Sequence, residues 1–343
     1  MGRSGAEKLR RFYKIFSGED RVLVAINADP DAIASAMAVK RLLWRKVSGV
    51  TISNVNVVSR PDNNAMIRLL GISMTHVEKI KPDRFTKFII IDSQPDHHEF
   101  FSKFSFNAVI DHHPDSGVKA DFRDIRPTYG ATASMLTEYL RAARIKPSVK
   151  LATGLLYAIR TDTNNFTRQT QIEDVRAFQF LFKNANMHLA RKIEYADLRL
   201  DYLKYFQIAL ENLHLRRGRI FVHLGQVISP DVCVLIAEFF MRVNPVKWSI
   251  VSGIHSDKLI IIIRNDGIRK NAGKLVKDAF STLGSAGGHR SMARAELDVQ
   301  ELAGLFKVDD NRMARKWIIN QIEKRSKKKS SKGSKNRNAQ SRT

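Results

Sequence analysis

The sequence predicts an α/β protein whose first half contains a parallel sheet. Short apolar runs such as "RVLVAIN" (21–27) and "KFIIID" (87–92) have the length and uninterrupted character of buried strands. Segments with the helical spacing of apolar residues lie between these runs, and this alternation is typical of a parallel sheet with crossover helices. Acidic residues directly follow several runs, at the carboxyl ends of the strands where parallel sheets bind their ligands.

Each element of the first half can be assigned in order. The run at 21–27 is the first predicted strand, and "DAIASAMAVKRLLWRKV" (31–47) has the spacing of a helix. Gly71 ends a short helix that follows the second strand. The remaining predicted elements are strands at 49–59, 87–92 and 106–111, and helices at 62–71, 130–143, 148–162 and 172–184.

A second, smaller α/β unit is expected after a connecting helix. The segment 189–213 contains neither glycine nor proline, so it predicts one long helix between two domains. The chain then alternates again, with a strand, a helix, two strands, a helix, a Gly-rich loop and a last strand. The predicted parts are 1–188, a connector at 189–216, a second domain at 217–308, and a C-terminal helix with a basic, disordered tail at 309–343.

The charge of the chain favours polyanionic partners. The 343 residues carry a formal charge of +24, and the segment 324–343 contributes nine basic and no acidic residues, which leaves +15 elsewhere. Such an excess favours binding to phosphates, because released counterions drive association. The alternative is that the tail only keeps the protein soluble.

No apolar run approaches the length of a membrane helix, so we expect a cytoplasmic protein. The single cysteine, Cys233, excludes an internal disulfide.

The tripeptide Asp-His-His occurs twice, at 96–98 and at 111–113. The second copy directly follows the strand at 106–111, so its side chains are expected at the edge of the sheet, together with Asp92 at the end of another strand. The first copy lies four residues beyond Asp92 and is expected to begin a helix, with Asp96 as its N-cap. The second copy is therefore predicted to perform the chemistry.

Six segments in this order resemble the motifs of the DHH phosphoesterase superfamily. The resemblance covers roughly residues 15–300 and is to the two-domain kind, whose C-terminal domain is the DHH-associated (DHHA1) module. Each segment alone is weak support, but their order and spacing are specific. The segments are "DPDAIASA" (29–36), "IIIDS" (89–93), "VIDHHPD" (109–115), "GATASMLTEYL" (130–140), "LLYAIRTDTNNF" (155–166) and "GSAGGHRS" (284–291).

The resemblance implies two Mn²⁺ or Mg²⁺ ions that activate water for attack on a phosphate ester. Carboxylates with a minority of imidazole suit Mn²⁺ better than the softer metals. By analogy Asp29 serves the first ion, Asp31, His112 and Asp162 serve the second, and Asp92 bridges them. His112 and His113 are the expected catalytic residues, with His113 as donor or acid to the phosphate. The expected substrate-binding residues are His113, Arg264, Gly287, Gly288, His289 and Arg290.

One position departs from the family's pattern. The first motif of the family usually begins with a histidine four residues before the first aspartate, and here that residue is Ala25. Alanine cannot ligate a metal, so the first ion is expected to bind more weakly than the second. Asn27 and the pair His97 and His98 are candidates for a substitute ligand. A longer side chain is expected to fit at position 25, and His97→Ala is expected to cost little activity.

The resemblance favours a phosphoesterase of the nanoRNase and pAp-phosphatase type, acting on short oligoribonucleotides or on nucleotides such as 3′-phosphoadenosine 5′-phosphate. A cyclic-dinucleotide phosphodiesterase is the second hypothesis, and a catalytically weakened nucleotide- or nucleic-acid-binding protein is the third. The chemistry is expected in a cleft between the domains, with the loop at 286–290 over the substrate. Short RNA or a nucleotide is the expected partner, the tail is expected to bind nucleic acid, and a homodimer is compatible with this scheme.

Overall fold

The computed structural model of the chain describes residues 5–196, 198, 200–268, 270–302, 304 and 310–323. The chain divides into two compact units, Met1–Asp197 and Leu198–Thr343. The tail at 324–343, predicted to be disordered, lies outside the described residues. Among the helices that are described, none combines the length and the apolar character needed to cross a bilayer.

The first unit is built on a six-stranded sheet in which all neighbouring strands are parallel. Its strands are β1 (Arg21–Ile26), β2 (Gly49–Asn54), β3 (Thr75–His76), β4 (Lys87–Ile91), β5 (Ala108–Asp111) and β6 (Phe122–Ile125). Their order in the sheet is β3-β2-β1-β4-β5-β6, so the three strands that end in predicted site residues are neighbours. The parallel α/β sheet predicted from the sequence is confirmed. The edge strands β3 and β6 were not predicted, because two to four residues carry little periodicity.

Seven helices of this unit are described: α1 (Gly5–Lys14), α2 (Pro30–Leu42), α3 (Pro61–Leu70), α4 (Thr132–Ala142), α5 (Val149–Asp162), α6 (Ile172–Phe182) and α7 (Met187–Glu194). Helix α2 begins where the Asp29 carboxylate accepts a hydrogen bond from the Ala32 N–H, and Pro30 occupies its first turn. Apolar residues of these helices pack on one face of the sheet with Val22 and Val24 of β1. Burying each such side chain contributes about 1.5–3 kcal/mol.

The opposite face of the sheet carries a second apolar cluster. Because side chains alternate along a strand, Ala25 of β1 points away from Val24 and joins Ile90, Val109 and Phe101 in this cluster. The Ala25 side chain is 1% exposed. The two clusters fix which residues of each strand face the core, and they leave the carboxyl ends of the strands to polar residues.

The single long helix predicted over 189–213 is wrong. Helix α7 ends at Glu194, a 3-10 turn spans Leu200–Tyr202, and helix α8 spans Leu203–Glu211. Leu198 and Leu200 are 46% and 83% exposed. Helices in proteins are stabilised mainly by packing of an apolar face, and the absence of glycine and proline does not supply that packing.

The second unit contains a mixed six-stranded sheet. Its strands are β7 (His214–Arg216), β8 (Arg219–Gln226), β9 (Trp248–His255), β10 (Lys258–Asn265), β11 (Gly284–Gly288) and β12 (Met292–Asp298), in the order β11-β12-β10-β9-β8-β7. Strands β8 and β9 are parallel, and the other neighbours are antiparallel. Besides α8 its helices are α9 (Pro230–Phe240), α10 (Ala272–Phe280), α11 (Val299–Leu302) and a helix over 311–323.

The Gly-rich segment of this unit is a strand for most of its length. The sequence predicted a loop there, but 284–288 form the edge strand β11, paired with β12. Gly288 has φ 143, and a Cβ at this position would lie 2.5 Å from the Met292 carbonyl oxygen. Only glycine therefore permits this close pairing at the end of the hairpin.

Candidate metal centre

Acidic side chains converge on one imidazole nitrogen at the carboxyl ends of the parallel strands. The His112 Nε2 atom lies 3.3 Å from Asp162 Oδ2, 3.5 Å from Asp92 Oδ1 and 4.0 Å from Asp31 Oδ2. Asp92 and His112 directly follow β4 and β5, Asp31 lies in the first turn of α2, and Asp162 is the last residue of α5. The structure thus brings together the four residues that the resemblance assigns to the second ion.

The two buried carboxylates are held by the beginning of helix α4. Asp31 accepts hydrogen bonds from the backbone N–H groups of Thr132 and Ala133, at 2.6 and 2.7 Å, and the Thr132 hydroxyl donates to Asp92 Oδ1 at 2.8 Å. A helix N-terminus favours negative charge, so these N–H groups partly oppose the rise in the pKa of Asp31 that burial and the Asp162 charge cause. Asp92 has φ 57, in the left-handed region, and this backbone turn follows directly on β4.

The tautomer of His112 follows from its second hydrogen bond. Its Nδ1 lies 3.2 Å from the carbonyl oxygen of Tyr129. A carbonyl oxygen only accepts hydrogen bonds, so Nδ1 carries a proton and donates. Nε2 is therefore the ring atom that can offer a lone pair to a cation, and it is the atom that the carboxylates surround.

His113 is oriented in the same way by Asp111. The Asp111 Oδ1 atom lies 2.8 Å from His113 Nδ1 and also accepts the backbone N–H of His113. The other oxygen, Oδ2, accepts a hydrogen bond from Gln94 Nε2 at 2.6 Å. Gln94 is fully buried, and its Oε1 accepts the N–H and hydroxyl of Ser116. This network holds His113 with Nδ1 turned to Asp111.

The first Asp-His-His copy has the opposite hydrogen-bond pattern. The backbone N–H of Gln94 donates to His97 Nδ1 at 3.2 Å, and that of Phe100 donates to His98 Nδ1 at 3.3 Å. His98 also stacks on Phe100, with the ring planes 14° apart. The predicted helix start with Asp96 as N-cap is wrong. The segment Pro95–His97 is one 3-10 turn whose N-cap is Gln94, because the Gln94 and His97 side chains form a reciprocal capping box around it.

The buried charges shift one another strongly. Burial raises the pKa of Asp29 to about 6, and the charge of Asp162 adds to this shift. Burial, together with neighbouring carboxylates, raises the pKa of Asp31 and of Asp92 well above the usual range. Burial alone would lower the pKa of His112, but its hydrogen bond to Asp162 and the charge of Asp31 raise this pKa to about 10. Such crowded negative charge calls for a counter-charge.

The donor set fits a hard divalent cation. Ligand atoms of Asp31, His112 and Asp162 lie within 4.8 Å of one another, and the same holds for Asp92, His112 and His113. Carboxylate oxygens with one imidazole nitrogen are the ligands that Mn²⁺ and Mg²⁺ prefer. A third group, His97, Asp111 and His113, is equally close. It fits poorly, because the His97 Nδ1 lone pair and both Asp111 oxygens already accept hydrogen bonds.

The first ion that the resemblance implies would have fewer ligands in reach than the second. Asp29 is half-buried and caps α2 through the Ala32 N–H, while Asn27 is exposed. Ala25 belongs to the apolar cluster on the other face of β1. The expectation that a longer side chain fits at position 25 is therefore wrong, because an imidazole would have to displace buried apolar groups.

A comparison with known protein families decides the class of this unit. Residues 21–159 match the DHH family, N-terminal domain. The N-terminal unit belongs to the DHH family. The match spans the strands β1 to β6 and includes Asp29, Asp31, Asp92 and the second Asp-His-His copy.

Similar proteins extend beyond this domain. An uncharacterised protein of Methanocaldococcus jannaschii is 33% identical over 299 residues, which are 87% of this chain and 61% of the relative. The chain thus spans about three fifths of the length of that relative. A solved exopolyphosphatase-related protein from Bacteroides fragilis has a TM-score of 0.69 at 14% identity, over 93% of this chain and 96% of the other. RecJ from Thermus thermophilus, solved with Mn²⁺, has a TM-score of 0.51 at 11% identity, over 94% of this chain and 54% of the RecJ chain. These two likenesses establish the fold.

The expected substrate-binding residues of the second unit lie at one end of its sheet. Arg264, near the end of β10, donates to Glu238 Oε1 at 2.6 Å, and its side chain is 12% exposed. His289 and Arg290 form the exposed turn between β11 and β12, where Arg290 donates to the Ile268 carbonyl. A Cβ added at Gly287 would meet no atom within 4 Å, so the backbone there is open to a ligand.

Several residues that hold the DHH-domain site were missed by the sequence analysis. Thr132 and the Tyr129 carbonyl position Asp31, Asp92 and His112, and Gln94 connects both Asp-His-His copies. The segment 130–140 was recognised as a motif, so Thr132 could have been found at the start of its helix. Nothing in the local sequence distinguishes Gln94, because its partners Asp111 and Ser116 are brought close only by the pairing of β4 with β5.

Proposed function

We propose that the chain is a metal-dependent phosphoesterase that hydrolyses short oligoribonucleotides or nucleotide phosphates such as 3′-phosphoadenosine 5′-phosphate. The observation that carries this proposal is the convergence of Asp31, Asp92 and Asp162 within 4.0 Å of His112 Nε2. The DHH-family match and the RecJ likeness, whose protein was solved with Mn²⁺, support Mn²⁺ or Mg²⁺ as the cation.

Two ions are proposed. Asp31, Asp92, His112 and Asp162 would hold one, and Asp29 with Asp92 would hold the other, which is the weaker because Ala25 supplies no ligand. When bound, the pair supplies Lewis-acid polarisation of the phosphoryl group and lowers the pKa of a water molecule.

The residues of the chain prepare the site for this chemistry. The N-terminus of α4 holds the Asp31 carboxylate in place through two N–H groups, and the Tyr129 carbonyl turns His112 Nε2 towards the carboxylates. The Asp111 carboxylate orients the His113 ring through Nδ1, and a proton on His113 Nε2 would pass to the leaving oxygen as the phosphate ester bond breaks.

The second unit is proposed to be a DHHA1-type module that contacts substrate. Its turn exposes His289 and Arg290, beside the open backbone of Gly287 and the closely paired Gly288, and cationic or N–H donors at such a turn suit phosphate oxygens. Arg264 is proposed as a further contact, oriented by its ion pair with Glu238.

A panel of substrates with and without Mn²⁺ tests the proposed activity. We expect Mn²⁺-dependent cleavage of a dinucleotide or of 3′-phosphoadenosine 5′-phosphate, and loss of cleavage in Asp162→Asn. Cleavage of cyclic dinucleotides alone would favour the phosphodiesterase hypothesis. Binding of nucleotides without any cleavage, even at high Mn²⁺, would favour the nucleotide-binding hypothesis.

The basic segment 324–343 is proposed to bind longer nucleic acids. Its nine Lys and Arg residues would contact phosphates, so deletion should weaken binding of a long single strand and reduce its dependence on salt. Hydrolysis of a dinucleotide should be unchanged. An unchanged salt dependence after deletion would contradict a role of this segment in binding.

A further inference from the structure

The first Asp-His-His copy lies beside the second. The ring centroids of His97 and His113 are 5.4 Å apart with the planes 82° apart, and those of His113 and His112 are 4.7 Å apart. The three imidazoles therefore form a row that begins at the metal centre with His112 and ends with His97. His97 is therefore a direct neighbour of His113, the residue expected to act on the phosphate.

The tautomer of His97 follows from its partner. A backbone N–H can only donate, so the hydrogen bond from Gln94 N–H places the lone pair of His97 on Nδ1. The ring proton is then on Nε2. Burial and the neighbouring His113 lower the pKa of His97, which keeps the ring neutral. The Nε2–H group is present in the neutral ring and would also be present in a charged one.

This tautomer excludes His97 as a substitute for the missing nitrogen ligand. A cation needs a nitrogen lone pair, but Nε2 carries the proton, and the Nδ1 lone pair faces Gln94 N–H and Ser93 Oγ, at 3.2 and 3.3 Å. The chemistry that remains is donation of a hydrogen bond from Nε2. The neighbouring carboxylate of Asp111 already accepts from His113 and Gln94 through its two oxygens. His97 is exposed, so water can accept from its Nε2–H group in the free protein, and an oxygen of a bound anion can take the place of that water.

We propose that His97 is a substrate-binding residue whose Nε2–H donates a hydrogen bond to a non-bridging oxygen of the phosphate group bound beside His113. This inference rests on the proposed function, since it assumes a phosphate-containing ligand at the metal centre. A phosphate is an anion among many carboxylates, so each neutral or cationic donor near it adds to its binding. Hydrogen bonds with one charged partner are roughly twice as strong as neutral ones.

The proposal gives the repeated tripeptide a physical purpose. The second copy supplies the nitrogen lone pair for the cation through His112 and an acid through His113. The first copy supplies an N–H donor at the far end of the same row. Gln94 links the two copies, because its backbone N–H fixes the His97 tautomer and its side chain fixes Asp111.

The substitution His97→Asn tests this role, and His98→Asn is its matched control. Asparagine places an amide oxygen near the position of Nδ1, so both variants can keep the backbone hydrogen bond of the turn, but both lose Nε2–H. We expect the Kd of adenosine 5′-monophosphate, measured by calorimetry on the full chain with saturating Mn²⁺, to rise about tenfold in His97→Asn. In His98→Asn it should stay within about twofold of the wild type, because His98 stacks on Phe100.

Two further readouts separate binding from structure. Mn²⁺ affinity should be the same in both variants and the wild type, and binding of adenosine, which has no phosphate, should not distinguish the variants. In long-range ¹H–¹⁵N spectra, the His97 Nε2 should be protonated and should shift when the nucleotide binds.

Several results of these binding measurements would overturn the proposal. Unchanged nucleotide affinity in His97→Asn, an equal loss in both variants, or no measurable binding to the wild type would show that no such contact exists. A fall in Mn²⁺ affinity in His97→Asn would make His97 a metal ligand. Hydrolysis by the wild type is measured separately with a dinucleotide. If hydrolysis is absent while His97→Asn still weakens nucleotide binding, the proposed activity fails and the binding role stands.

Discussion

The two Asp-His-His copies share three letters and differ in where their imidazole protons lie. In the copy at 111–113, Nδ1 of each histidine faces an oxygen acceptor, the Tyr129 carbonyl or the Asp111 carboxylate, so Nε2 is the nitrogen that can take part in ligation or proton transfer. In the copy at 96–98, Nδ1 of each histidine accepts a backbone N–H, so Nε2 is an N–H donor. The same residues are thus prepared for opposite chemistry.

The difference arises from the backbone that carries each copy. Asp111 is the last residue of a buried parallel strand, so the histidines after it leave the sheet where Asp31, Asp92 and Asp162 converge. In the first copy, Asp96 and His97 belong to a 3-10 turn and His98 follows it. The first backbone N–H groups of such a turn have no partner within the turn, so histidine side chains can accept hydrogen bonds from them. A motif therefore indicates a metal ligand only together with the element that presents it.

The largest expected contrast is in metal affinity. His112→Asn can keep a donor to the Tyr129 carbonyl but removes the nitrogen lone pair, so we expect the Kd for Mn²⁺ to rise by more than ~100-fold, beyond the 10–100-fold typical of losing a residue that only supports a ligand. The same change at His97 should leave the Kd within about twofold, because no ligand is lost. Calorimetric titration with Mn²⁺ measures both. Equal losses would contradict the assignment of the metal to the second copy.

The aspartates of the two copies should differ nearly as much. Asp111→Asn removes the carboxylate that orients the His113 ring and places an amide against the Gln94 amide, so kcat should fall roughly 10–100-fold. Asp96 is exposed, and Asp96→Asn should leave kcat unchanged. Dinucleotide hydrolysis at saturating Mn²⁺ measures the pair. Similar kcat values for the two variants would show that Asp111 has no role in orienting His113.

Gln94 connects the two copies, and its replacement should destabilise the fold. Gln94→Glu places a second carboxylate against Asp111 Oδ2 in a buried position, so we expect the free energy of unfolding to fall by about 1–3 kcal/mol. Gln179→Glu, on the exposed side of α6, is the control and should leave it unchanged. Denaturant unfolding measures both. If Gln94→Glu is as stable as its control, the hydrogen bond to Asp111 contributes little.

Features that depend only on the order of residues along the chain could be predicted from the sequence. Apolar runs and their spacing predicted the parallel sheet, and the rule for strand ends predicted that Asp31, Asp92 and His112 would meet. The tautomers could not be predicted, because they depend on partners such as the Tyr129 carbonyl that only the folded chain brings close. The connecting helix was predicted wrongly because the exposed Leu198 and Leu200 form no packed face. The packing of Ala25 likewise required knowledge of which face of β1 it occupies.

A crystal of the full chain soaked in Mn²⁺, with diffraction data collected at the manganese absorption edge, shows directly which copy binds the metal. We expect an anomalous peak bonded to His112 Nε2 together with carboxylate oxygens of Asp31, Asp92 and Asp162, and no peak bonded to His97 or His98. A peak whose ligands include His97 would contradict this assignment, because the first copy would then bind the metal that we assign to the second copy alone.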